Sequence, residues 1–194
     1  MFRRVAIQRS GGKVSIILVT LVFLAGILFA GLFNIGLGTT NELEFCTSCH
    51  SMKVNFEEYK QTIHYKNASG VRAVCSDCHV PKEFFPKMVA KVIAIKDIYH
   101  ELMGTLDTKE KYEAHRWEMA NRVWDRMRAS NSRECRSCHE FTSMDLSLQG
   151  RSARKRHPRA MDEGAACIDC HAGIAHEEPD EPETPEEPAA AGSD

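Results

Sequence analysis

Val14 to Phe33 reads VSIILVTLVFLAGILFAGLF, twenty consecutive residues without a charge. At about 1.5 Å of rise per residue, such a helix spans roughly 30 Å, the hydrocarbon thickness of a bilayer. Ile35 to Thr40 is a Gly/Thr-rich exit from it. From Asn41 to His176 the pattern changes: no strand-like alternation is present, and three helices are predicted. Phe84 to Met103 is apolar with Lys at 87, 91 and 96, and Pro86 suits its first turn, where a missing N–H does no harm. Asp107 followed by Glu110 resembles a helix N-terminus. From there Tyr112, Met119, Val123, Trp124 and Met127 recur at near-helical spacing to about Ala129. A shorter helix is expected over Met52 to Ile63. This region reads as an all-α, loop-rich domain.

Charge orients the chain. Arg3, Arg4, Arg9 and Lys13 precede the apolar run and no acid occurs before Glu42, so the positive-inside rule puts residues 1–13 in the cytoplasm. A cleaved signal peptide would have a shorter apolar core, about 7–15 residues, and a small-residue cleavage site. Neither is found, and residues 14–37 are expected to be a retained transmembrane anchor with residues 38–176 beyond it. Glu177 to Asp194 holds four of the seven prolines, eight acids and no base, the composition of a disordered acidic tail. The formal net charge is −2. Residues 14–176 carry only two more bases than acids, too mild an excess to argue for a nucleic-acid partner.

One motif recurs four times: CTSCH at 46–50, CSDCH at 75–79, CRSCH at 135–139 and CIDCH at 167–171. Together they use all eight cysteines: Cys46, Cys49, Cys75, Cys78, Cys135, Cys138, Cys167 and Cys170. C-x-x-C-H is the attachment signature of haem c. Its two thiols add to the two vinyl groups of the porphyrin, and the following His turns its imidazole toward the iron. Zinc ribbons or local disulfides would also use C-x-x-C pairs, but neither requires a His at every fifth position. Four covalently bound haem c groups are therefore expected. With apolar residues sparse outside the two longer helices, the haems should form much of the core.

Axial ligands set the potential of each iron and decide whether it stays open. His50, His79, His139 and His171 follow the cysteines. His64, His100, His115, His157 and His176 lie outside the motifs, and any of them can serve as a distal ligand. Met52, two residues past His50, can compete with it, because a thioether is a good soft ligand; spacing alone leaves the choice even.

Taken together these segments resemble the NapC/NirT family of membrane-anchored tetrahaem quinol dehydrogenases, whose relatives include NrfH and CymA. The resemblance covers about residues 10–176. It rests on the anchor, CTSCHSM (46–52), HYKNASGVRAVCSDCHVP (64–81), KDIYH (96–100), GTLDTKEKYEAHRWEMANRVWDRM (104–127), SRECRSCH (132–139) and CIDCHAGIAH (167–176). It implies a multihaem cytochrome c domain, periplasmic, on the inner membrane. It implies a high-spin first haem at the membrane face, with Met52 favoured over His50 as its proximal ligand. Asp97 is implied to lie near the open side of that haem, and Lys91 to take part in quinol binding. The other haems are implied to be bis-histidinyl: His176 with His79, His64 with His171, and His157 with His139. His100 and His115 are left as surface or propionate contacts.

The chemistry agrees with that role. Quinol oxidation releases two electrons and two protons, so it needs an apolar entry, a nearby acceptor and a base. Asp97 is the candidate proton acceptor and Lys91 a donor to a quinol oxygen. The plainer reading is a solvated Asp and a snorkelling Lys. The expected function is transfer of electrons from quinol to a periplasmic reductase, nitrate reductase foremost and nitrite reductase as the alternative. An anchored wire without quinol chemistry and a catalytic nitrogen-oxyanion reductase are the competing classes. Arg151 to Arg156, with four bases, suggests either a docking face or a solvated one. A homodimer is possible, but Gly26 and Gly31 lack G-x-x-x-G spacing.

Overall fold

The computed structural model describes residues 11–182. It forms two compact units, one through Asn41 and one from Glu42 onward. Among the described residues every regular element is helical. Residues 1–10 and 183–194, which include most of the expected cytoplasmic segment and acidic tail, lie outside the described residues.

The first unit is one helix, α1 (Gly11–Thr39). Within its stretch Ser15–Thr39 an 18-residue window has a mean hydropathy of 2.9, and its apolar side chains are exposed on all sides. That pattern suits a helix surrounded by lipid rather than by protein. Asn34, its lone amide, donates to the Ala30 carbonyl at 2.8 Å, which satisfies a polar group inside the helix itself.

The second unit contains α2 (Leu43–Thr47), α3 (Met52–Tyr59), α4 (Cys75–His79), α5 (Phe84–Leu102), α6 (Lys109–Ala129), α7 (Arg133–Arg136) and α8 (Arg151–Glu163). Short 3₁₀ turns lie at Phe141–Ser143, Leu146–Leu148 and Cys167–Asp169. The three expected helices are α3, α5 and α6. The cap of α6 differs from expectation: the Thr108 hydroxyl accepts from Lys111 N, while Asp107 pairs with Lys111 Nζ at 2.7 Å. No helix was expected over the Arg-rich run, yet α8 forms there. It ends in a left-handed Gly164, with Ala165 N bonded back to Ala160 O at 2.9 Å, a glycine stop that a charge count does not register.

The core is small. Buried apolar residues among those described are Tyr59, Tyr112, Trp124, Met127 and Ile168. Trp124, Met127 and Ile168 form one cluster, flanked by Cys78, Trp117 and Ala172. α6 is its spine: Trp124 and Met127 come from its second half, while Tyr112 near its start donates to Asn55 on α3 at 2.6 Å. Five buried apolar side chains are far fewer than a chain of this length needs to hold itself together.

Candidate haem sites

The four motifs sit on four short helical pieces: the end of α2, α4, α7 with the residues after it, and the Cys167–Asp169 turn. α2 packs on α4, α4 on α7, and α6 on the fourth motif. The sulfurs follow suit. The Cys75 thiol hydrogen-bonds Cys46, drawing Cys46 down from the ordinary thiol range and pushing Cys75 up. Burial, helped by nearby Cys135, pushes Cys78 up to about 11. Burial and then Cys167 raise Cys135. The motifs thus lie in chain order, each within electrostatic reach of the next. None of the eight cysteines is in a disulfide, and the described residues gather no cluster of three or more His, Cys, Asp or Glu able to hold a metal ion, as zinc ribbons would.

Two tertiary contacts hold the fourth motif against α6 and the turn that leads into the third. Asn131 and Ser132 both adopt left-handed backbone (φ 50° and 51°) between α6 and α7. That turn buries Ser132 completely, and its hydroxyl accepts from Ile168 N at 3.2 Å. Arg128 Nε donates to Asp169 Oδ1 at 2.8 Å.

The histidines come together in pairs. The ring centroids of His79 and His176, the pair the resemblance implies, are 6.2 Å apart. The other two pairings are exchanged relative to expectation. His64 faces His139 at 6.0 Å, and His157 faces His171 at 6.2 Å. The reason is local connectivity. Gly164 turns the chain from the end of α8 directly into the fourth motif, so His157 on α8 meets His171. The His64 loop is tied down separately, with Tyr59 Oη donating to the carbonyls of His64 and Ala73 and Ala73 N donating to His64 O.

These spacings fit a shared iron. A metal–imidazole bond is about 2.0 Å, so two imidazoles on opposite sides of one metal place their centroids roughly 6–6.5 Å apart. The ring nitrogens fit as well. His157 Nδ1–H donates to Gln149 Oε1 at 2.6 Å, which leaves Nε2 for a metal. His64 Nδ1 is buried with no hydrogen-bond partner. Burial, then His139, lowers the pKa of His64. His79 is an exposed residue by surface area yet is crowded by the surrounding protein, and that desolvation, then His176 and Arg126, draws its pKa down to about 4. Burial also lowers His176, despite the Glu58 carboxylate 4.0 Å away. All three shifts favour the neutral imidazole, the metal-binding form. The small protein core agrees with large apolar cofactors filling the unit.

The first motif is different. His50 is exposed, with the carboxylates of Glu101 and Asp107 within electrostatic reach and no second imidazole against its ring. Met52 is half-buried at the start of α3. Lys91 on α5 is half-buried beside Cys46; burial lowers its pKa, and nearby Lys87 adds to that effect. Asp97 is exposed on the same helix, about 120° around the axis from Lys91 by the helical repeat, and one turn before Glu101. His100 Nδ1 meets Thr105 Oγ1 at 2.9 Å, and His115 Nδ1 meets Lys111 O at 2.8 Å.

Several positioning residues had no signal in the sequence. Arg116 donates to Glu58 at 2.6 Å and to the Glu177 carbonyl at 2.7 Å, while Glu177 N donates to Glu58 at 3.0 Å. Glu177 stands where the sequence placed the start of a tail, and this bracket holds it next to His176. Gln149, Ser132 and Glu101 likewise act on partners that no short motif connects to them.

The chain is similar to known proteins over most of its length. The family model described as "NapC/NirT cytochrome c family, N-terminal region" matches residues 9–181. A putative tetraheme cytochrome c of Allochromatium vinosum is 59% identical over 174 residues, covering 90% of this chain and 95% of that protein. The cytochrome c-type protein NapC of Escherichia coli K12 is 51% identical over 159 residues, 81% of this chain and 80% of its own length. The denitrification component NirT of Stutzerimonas stutzeri is 53% identical over 157 residues, 80% and 78% of the two chains. No solved structure shows a significant match. Four C-x-x-C-H motifs, opposed histidine pairs at metal-sharing distance and relatives over most of its length place the chain in the NapC/NirT family of tetrahaem c-type electron-transfer cytochromes.

Proposed function

We propose that this cytochrome oxidises membrane quinol beside its first haem and passes the electrons to a periplasmic reductase, the periplasmic nitrate reductase foremost. The observation that carries the reading is Lys91, half-buried against Cys46 on a helix that also exposes Phe85, Val89, Val92, Ile95 and Leu102. An apolar flank beside a partly desolvated cation suits a lipid-soluble substrate with a polar head. Lys91 hydrogen-bonds a quinol oxygen, and Asp97, in solvent contact, accepts a proton that leaves with the electrons.

Bound haem c supplies one-electron carriers. In this reading Met52 would hold the first iron, and His79 with His176, His64 with His139, and His157 with His171 would hold the others. Because the motifs abut in chain order, haem c bound at them would supply a row of electron carriers from the first motif to the fourth. α1 anchors the protein with its N-terminus in the cytoplasm and the haem unit in the periplasm.

Purified protein in liposomes, mixed anaerobically with reduced quinol while haem absorbance is followed, tests the donor side. Haem reduction that is lost in Lys91→Met supports the reading. Absence of reduction in protein that dithionite still reduces fully refutes it and points to a protein donor. The NirT relative favours a second acceptor, nitrite reductase. Mixing pre-reduced cytochrome separately with nitrate and nitrite reductases decides between them by which one reoxidises the haems.

A further inference from the structure

The four attachment motifs do not close their turns in the same way. The second is itself a helix through His79. In the third, His139 N donates to the Cys135 carbonyl at 2.8 Å, and in the fourth, His171 N donates to the Cys167 carbonyl at 3.0 Å. In each of these two, that bond winds the motif into one turn that brings the His back over its cysteines. The first motif lacks it. His50 N donates instead to Glu101 Oε1 at 2.6 Å, from a helix fifty residues further along the chain. The other carboxylate oxygen, Oε2, accepts from the Ser51 hydroxyl at 2.6 Å and from Ser51 N at 3.4 Å. Ser51 is buried, and the amide that returns to the motif belongs to Met52, which donates to the Cys49 carbonyl at 3.2 Å.

We propose that Glu101 is the positioning residue that sets the first haem apart: it takes the His50 amide from the Cys46 carbonyl, opens the motif and leaves Met52 as the proximal ligand. This rests on the reading of Met52 as that ligand. The chemistry is that of an ionised carboxylate, whose two oxygens accept several charge-assisted hydrogen bonds at once. An amide N–H satisfied by Glu101 has no reason to close on Cys46, and the His50 side chain is carried outward. His50 is exposed there, within electrostatic reach of the carboxylates of Glu101 and Asp107. The other three motif histidines each oppose a second histidine; His50 opposes none.

The test uses holoprotein matured with all four haems and reads the first haem by electron paramagnetic resonance, ligand-sensitive absorption and midpoint potential. Met52→Leu comes first. If it leaves the first-haem signals unchanged, Met52 is not the ligand and the proposal falls with its premise. If it alters them, Glu101→Ala is decisive. The expected result is a shift to imidazole ligation with a lower first-haem potential, since thioether ligation raises it. Adding His50→Ala to Glu101→Ala abolishes that imidazole signature. Glu101→Gln, which can still accept from the His50 amide, keeps the wild-type signals. A Glu101→Ala protein with wild-type first-haem signals overturns the proposal, even if its melting temperature falls, because that is the result a merely structural role gives. Should Glu101→Ala not accumulate, Glu101→Asp, with the carboxylate drawn back by one methylene, is expected to give a mixture of both ligation states. A pure wild-type spectrum there counts against the proposal equally.

Discussion

Arg116 is the best place to test whether side-chain brackets hold the histidine pairs. Its side chain is 10% exposed and that of Glu58 is 12% exposed, so their 2.6 Å contact is a buried ion pair. The same guanidinium donates to the Glu177 carbonyl, one residue past His176. Arg116→Met keeps much of the volume and removes the charge. Breaking a buried pair by deleting one partner costs about 3–5 kcal/mol. The lower end applies, because Glu58 keeps the Glu177 amide at 3.0 Å. For a unit of this size about 3 kcal/mol corresponds to a fall of roughly 6–12 °C in melting temperature. Loosened Glu177 also frees His176 from its place opposite His79, so one low-spin haem signal should weaken or shift. Oxidised holoprotein would be melted by circular dichroism and its resonance spectrum recorded alongside. Arg116→Lys should fall between the two, because an ammonium lacks the planar fork that spans Glu58 and the Glu177 carbonyl. A melting temperature within about 2 °C of wild type, with all low-spin signals intact, would falsify the bracket.

Other outcomes follow from the same geometry. Ser132→Ala removes the buried acceptor of Ile168 N and should destabilise the unit by about 1–3 kcal/mol in chemical denaturation, the cost of a stranded buried amide. His157→Met should raise the potential of one haem. Deleting Cys167 and Cys170 should abolish that shifted signal and deleting Cys135 and Cys138 should spare it; the reverse would restore the pairing of His157 with His139 that the resemblance implies. Lys91 has its folded pKa below the unfolded value, chiefly through burial, so the folded state holds that proton less tightly. The penalty is fully present below the folded pKa and is relieved as pH rises toward 10.5. Lys91→Met should therefore keep or raise the melting temperature at neutral pH while slowing quinol oxidation; a marked loss of stability would show that the charge is structurally required. Replacing all eight cysteines by Ala should leave no cooperative thermal transition in circular dichroism, since the described residues bury only five apolar side chains.

Local signals carried a good deal. The apolar run became α1 because twenty uncharged residues leave a helix as the only way to satisfy their backbone in lipid. The segments Phe84–Met103 and Asp107 to about Ala129 became α5 and α6, within a residue or two at the ends. α8 was passed over because a run of bases hides its period, and its left-handed stop depends on a single glycine. The exchange of His64 and His157 between motifs was outside the reach of spacing, because it turns on where two loops are pinned.

What the sequence determined by itself is therefore the chemistry: four C-x-x-C-H motifs, the surplus histidines and a membrane-length helix are each written within a few residues or one continuous run. What only the tertiary structure decided is which groups meet. His64 with His139, Arg116 with Glu177, and Glu101 with the His50 amide join residues some fifty or more positions apart. A covalent motif is local and needs nothing beyond its own spacing. An axial ligand or a bracket is chosen by distance in space, and that distance exists only once the helices that carry it have packed.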